Sequence, residues 1–102
     1  MTWILTSVAQ VDALEIWDFV FQASGQRRAD ALLADLERAF DRAASAPLAG
    51  IERPELAPSG VRFVLAHAYM VAYRADRTPI EILRTMHASR DVRGVEIDPG
   101  GV

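Results

Sequence analysis

Val61-Arg62-Phe63-Val64-Leu65-Ala66-His67-Ala68-Tyr69-Met70-Val71-Ala72-Tyr73-Arg74 is the stretch on which the fold turns. Val61, Phe63 and Leu65 alternate with Arg62 and Val64. After a small turn around His67, the residues Tyr69, Val71 and Tyr73 alternate with Met70, Ala72 and Arg74. A period of two sends successive side chains to opposite faces, which is how a strand reads. Asp76-Arg77-Thr78-Pro79 makes the next turn. Ile80, Ile82, Arg84 and Met86 then alternate with Glu81, Leu83, Thr85 and His87. Connections this short cannot carry a crossover, so the three strands form an antiparallel meander.

Upstream, residues 45–60 hold Pro47, Gly50, Pro54, Pro58 and Gly60, which forbid a long regular element and predict an irregular connector. Loops of that length inside a small domain are uncommon and often functional. Before the connector, from Arg27 to about Ala44, Leu32, Leu33, Leu36, Phe40 and Ala43 recur at intervals of three and four. That spacing predicts an amphipathic helix, with Asp35, Glu37, Arg38, Asp41 and Arg42 between the apolar positions. Arg38 and Asp41 form its opposite-sign pair one turn apart.

An earlier helix is predicted from Val8 to about Gln22, with Ser7 as its cap. Ala9, Ala13, Ile16, Trp17 and Val20 form its apolar face, and Asp12, Glu15 and Asp18 line another. Phe19 and Phe21 cannot both join that apolar face, so one of them, with Leu14, is expected to lie partly outside it. Ser24-Gly25 breaks the pattern, and so short a join folds the two helices into an antiparallel hairpin. Residues 2–7 read as a short strand around Trp3, Ile4 and Leu5. The expected order is β-α-α-β-β-β, an α+β fold in which the helical hairpin buries its apolar face on the sheet. Residues 1–102 form one domain, with a loose tail from about residue 93 that includes Asp98-Pro99-Gly100-Gly101.

At 102 residues and 51% hydrophobic, the chain supports a continuous core. No apolar run approaches the ~20 residues of a membrane span. No signal-like segment opens the sequence, so a cytoplasmic location is expected. Cysteine is absent, which excludes disulfides, a thiol nucleophile and cysteine-based zinc sites. No metal or other cofactor is expected. The net charge of −3 is unevenly spread: residues 1–51 carry four arginines against seven acids, and residues 53–93 carry seven arginines against four acids. All eleven basic residues are arginine, a permanently charged planar fork suited to carboxylates and phosphates but a poor proton acceptor.

Several segments together resemble the RelE/ParE toxin superfamily over most of the chain, about Trp3 to Asp91. Glu15-Ile16-Trp17-Asp18-Phe19-Val20 is similar to the family's first helix. Ala46-Pro47-Leu48-Ala49-Gly50, Arg53-Pro54-Glu55-Leu56 and Ser59-Gly60-Val61-Arg62 resemble its connector. Tyr69-Met70-Val71-Ala72-Tyr73-Arg74, Ile80-Glu81-Ile82-Leu83-Arg84 and His87-Ala88-Ser89-Arg90-Asp91 resemble its strands and ending. The resemblance implies the toxin of a type II toxin–antitoxin system, held in a hetero-oligomer by a ParD-like antitoxin of ribbon-helix-helix type. The ending, histidine and then Arg-Asp, looks more like the ParE branch, associated with DNA gyrase, than the RelE branch, which cuts messenger RNA on the ribosome.

Cutting RNA requires a base for the ribose hydroxyl, stabilisation of phosphate charge and an acid for the leaving oxygen. RelE-type sites resemble one another in using lysines, arginines and a C-terminal tyrosine. Here lysine is absent and the last tyrosine is Tyr73, inside the meander. The alternative set is Glu55 as base, Arg62 and Arg84 as phosphate clamp and His87 as acid. Under the gyrase reading, the surface facing the target carries Arg62, Arg74, Arg84, His87 and Arg90. Glu55, Glu81 and Asp91 are the acids that these arginines can meet instead. The antitoxin is expected on an apolar strip of Leu14, Trp17, Phe21 and Leu33, or at an exposed sheet edge. The acidic helical half favours an antitoxin segment with some arginine or lysine.

Overall fold

The computed structural model describes residues 2–89. Thr6, rather than Ser7, ends the first extended segment and caps the first helix. Its hydroxyl accepts from the Ala9 N–H at 3.1 Å and donates to the Leu83 carbonyl at 3.2 Å. That single side chain ties β1 (Trp3–Leu5) and α1 (Ser7–Ser24) to the sheet. Gly25 alone joins α1 to α2 (Gln26–Ser45). Its N–H donates to the Phe21 carbonyl, and its own carbonyl accepts from Ala29. With φ of 89° and ψ of 173°, Gly25 occupies backbone space nearly closed to residues with a Cβ.

The connector is more regular than its prolines and glycines suggest. Pro47–Ala49 forms a turn of 3-10 helix, and Ile51–Glu52 forms an edge strand, β2. β3 (Val61–Ala66), β4 (Tyr69–Arg74) and β5 (Ile80–His87) are the expected meander. The sheet has five strands in the order β1-β5-β4-β3-β2 and is mixed: β1 runs parallel to β5 and all other pairs are antiparallel. The polypeptide between β1 and β5 is long enough to make that parallel return.

One sheet face receives the helical hairpin. Leu36, Phe40 and Ala43 of α2 pack with Val71, Tyr73 and Ile82 in one buried cluster. Burying a leucine or phenylalanine contributes roughly 1.5–3 kcal/mol each. Trp3 meets Phe40 edge-on with ring centres 5.0 Å apart, and its indole N–H donates to Asp41 at 2.8 Å. Asp41 is therefore occupied by Trp3, and Arg38 pairs with Asp35 instead. A second cluster on the other face gathers Val61, Phe63, Ala72, Leu83 and Met86, with Leu56 and Ala57 of the connector.

Asp12 departs most from its expected place on the solvent face of α1. It is 7% exposed. One carboxylate oxygen accepts from Arg84 Nε at 2.8 Å and from the Thr85 N–H at 3.0 Å; the other accepts from Arg84 Nη2 at 3.1 Å. β1 pairs with β5 only as far as Ile82, so beside Thr85 no described strand runs along the β1 side of β5, while β4 flanks its other side. The carboxylate supplies the acceptor that the missing strand would have supplied. Asp12→Ala leaves a part-buried guanidinium and a backbone donor without it, and is expected to cost about 2–4 kcal/mol, measured by urea unfolding. Joint replacement of Asp12 and Arg84 by leucine and methionine is expected to cost less than Asp12→Ala alone.

At the β3–β4 turn, His67 adopts φ of 54° and its Nε2 lies 2.6 Å from Asp35 Oδ2 on α2. The His67 hydrogen bond first, and Arg38 second, hold the Asp35 carboxyl below its ordinary value. A lowered carboxyl contributes stability above its unfolded pKa and loses it as pH falls through the folded one. Asp35→Asn is therefore expected to be less stable than wild type at neutral pH. The gap should close as thermal unfolding is followed down through the carboxylate range.

Candidate functional site

The four side chains of a nuclease set are built into separate parts of this frame. Arg62 Nη1 donates to the carbonyls of Leu48 at 3.2 Å and Gly50 at 2.7 Å, and Nη2 lies 3.8 Å from Glu52. Arg84 forks onto Asp12. Glu55, in the connector, accepts from Arg53 Nε at 2.7 Å. His87 ends β5 with its ring edge-on to Tyr69 at 5.3 Å. Its Nδ1 lies 3.2 Å from the Ser89 backbone N and 2.6 Å from the Ser89 hydroxyl.

The register measures their separation. Arg62 pairs with Tyr73, Tyr73 pairs with Ile82, and His87 lies five residues further along β5. At strand rise this is about 16 Å along the sheet, with two strand spacings across it. Base, acid and clamp must reach one phosphate within hydrogen-bonding distance. The described frame does not bring these four together.

Tyr73 is equally removed from proton transfer to a ligand. It is fully buried, its hydroxyl donates to the Pro47 carbonyl at 2.6 Å and it accepts from the Gly50 N–H at 3.1 Å. Burial pushes its phenol up, which keeps it a neutral donor. A Cβ on Gly50 would lie 2.3 Å from that hydroxyl, so the backbone approach requires glycine. Tyr73 and Arg62 together grip residues 47–50 and hold the edge strand in place.

The arginines expected on one target-facing surface are likewise dispersed. Paired residues share a face, so Arg62 stands on the face of Tyr73, and Arg74 stands on the opposite face with Val61. Arg74 forks onto Asp76 with two contacts of 2.9 Å and faces Glu81 across the strands. Arg77 pairs with Glu81 at 3.1 Å. Arg62, Arg74 and Arg84 thus satisfy internal acceptors instead of forming a common basic surface. Arg90 and Asp91 lie outside the described residues, as does the tail.

Of the four residues expected on the apolar strip, Trp17 and Phe21 touch each other. Trp17 and Phe21 stack with centres 5.0 Å apart, and the Trp17 indole donates to Asp30 on α2 at 2.9 Å. In an antiparallel hairpin that bond brings Leu33, three residues past Asp30, level with Leu14, three residues before Trp17. Leu14 is 69% exposed. Phe19, at 70%, joins it outside the core, as expected for one of the two phenylalanines.

A second open region was less legible. β2 pairs with β3 only at Arg62 and Phe63, so among the described residues no strand flanks Val64 to Ala66 on that side. Leu48, Ile51 and Leu65 are exposed there, beside a hollow of about 320 Å³ that Phe63 and Met70 also line. Among the described residues no group of acids and histidines is placed to hold a metal, and no helix is long and apolar enough to cross a membrane.

Comparison with known proteins matches residues 4–92 to the ParE toxin of type II toxin–antitoxin systems, parDE. The chain belongs to the ParE toxin family. It is 33% identical over 91 residues to Toxin ParE1 of Mycobacterium tuberculosis, in each of two strains, covering 88% of this chain and 92% of the relative. The solved structure of the chromosomal ParDE TA system from P. aeruginosa shares the fold, with a TM-score of 0.72 at 24% identity. That match covers 85% of this chain and 95% of the other. In this ParE-family toxin Tyr73 is buried, and Arg62, Arg74 and Arg84, all part-exposed, bind acceptors of the same chain. Tyr73→Phe is expected to remain folded but to lose about 1–3 kcal/mol in denaturant unfolding, because the Pro47 carbonyl and Gly50 N–H lose their partner.

Proposed function

We propose that this ParE-family toxin stops growth by binding DNA gyrase in the cytoplasm rather than by cutting RNA. A cognate ParD-like antitoxin of ribbon-helix-helix type neutralises it. The observation that carries the reading against cutting is the dispersal of Glu55, Arg62, Arg84 and His87 over the connector, the edge of β3, the α1–β5 junction and the end of β5. The gyrase target rests on the resemblance to the ParE branch.

Two surfaces suit the antitoxin: the strip of Leu14, Trp17, Phe21 and Leu33, and the open side of β3 beside Leu48, Ile51 and Leu65. The first accepts an apolar helix face and the second an extended strand. In this reading the target is met by His87, by Arg90 and by whatever the dispersed Arg62, Arg74 and Arg84 expose at their edges.

Induced expression without antitoxin is expected to give filamentous cells and a DNA-damage response, with translation continuing. Purified toxin is expected to inhibit supercoiling by gyrase. Glu55→Gln should leave growth arrest unchanged. Rapid loss of translation with cleaved transcripts, abolished in Glu55→Gln, would reverse the assignment. Arg84→Ala does not discriminate, because it also removes the partner of Asp12 and so weakens the fold.

A further inference from the structure

Between α1 and the β4–β5 hairpin the surface opens into a cleft of about 350 Å³. Ile16 and Phe19 form one wall, Tyr69, Met86 and His87 form the other, and Glu15 stands at the rim. Asp12 also borders the cleft, but Arg84 and the Thr85 N–H occupy its carboxylate. Glu15 differs. It has no hydrogen bond or ion pair among the described residues, although its charge reaches Arg84. Among the described residues that line the cleft, with Asp12 offset by Arg84, Glu15 leaves one negative charge in excess.

Phe19 lies one helical turn beyond Glu15, on the same side of α1, and remains largely in solvent. Across the cleft, the rings of Tyr69 and His87 meet edge-on. An occupant must therefore be cationic, to meet Glu15. It must also be weakly hydrated, to sit against the aromatic side chains that line the cleft, and able to donate rather than accept. A guanidinium has all of these properties, whereas an ammonium is compact and strongly hydrated. A phosphate group would meet unfavourable charge from Glu15.

We propose that this cleft receives an arginine side chain of the antitoxin, with Glu15 as its counter-charge and Phe19 and Tyr69 as its apolar walls. The proposal rests on the antitoxin reading above and adds the chemical group recognised and the place that recognises it.

Titration of the full-length toxin with N-acetyl-arginine-N-methylamide, followed by NMR, tests the cleft without the antitoxin. The Phe19 and Tyr69 ring signals should shift. The lysine analogue should act several-fold more weakly, and the uncharged citrulline analogue should have no effect. Unmoved rings, or equal response to citrulline, would overturn the proposal. The protein encoded as the antitoxin then gives the second arm. Its affinity is expected to fall about tenfold or more in Glu15→Gln and in Phe19→Ala, with the Glu15 effect shrinking at high salt. Glu37→Gln, an exposed carboxylate on α2, should change nothing, and thermal unfolding should be unaltered in Glu15→Gln. Wild-type affinity in Glu15→Gln would sink the cleft while leaving the antitoxin reading intact. Failure of wild type to bind the antitoxin would sink that reading, and the arginine titration would still judge the cleft.

Discussion

The arrangement of helices on sheet depends on one carboxylate. Asp12 reaches from α1 to β5 and holds three donors there: two from the Arg84 guanidinium and one from the Thr85 backbone. A helix lying on a sheet can slide along it at little cost in apolar contact, because burial is not directional. A bidentate fork combined with a backbone bond is directional, and it fixes where along β5 the helix sits. Thr6 makes a similar link a turn and a half earlier, to Leu83. The position of the α1–β5 cleft, and of Glu15 and Phe19 beside it, follows from these two links.

Much of this frame is legible in the chain. The alternation through residues 61–74 and 80–87 specified the meander, and the three–four spacing of Leu32, Leu36, Phe40 and Ala43 specified the second helix. The glycine at residue 25 marked the join. The missed features share a physical origin: each depends on a partner remote in sequence. Asp12 reads as one more acid on a polar helix face until Arg84, 72 residues later, comes beside it. β2 hides among prolines and glycines because two residues are too few to show a period. The parallel pairing of β1 with β5 also has no local signal.

The candidate site divides in the same way. The Trp17–Phe21 contact was readable because residues four apart on one helix lie on the same side. The arginines were not, because alternation tells which face a side chain takes but not which acceptor it finds. Arg62 turns to backbone carbonyls in the connector, Arg74 to a turn aspartate and Arg84 to a helix. In a chain without lysine, arginine supplies the internal braces as well as the surface charge. A guanidinium suits that work, since its fixed fork satisfies several acceptors at once.

The short β2 has a consequence for the molecule on its own. Among the described residues it covers two residues of β3 and leaves the remainder of that edge unflanked beside Leu48, Ile51 and Leu65. An uncovered strand with apolar neighbours is a template for another copy of the same chain. The backbone groups of β3 that β2 leaves uncovered therefore stay available to any extended segment that can lie beside them.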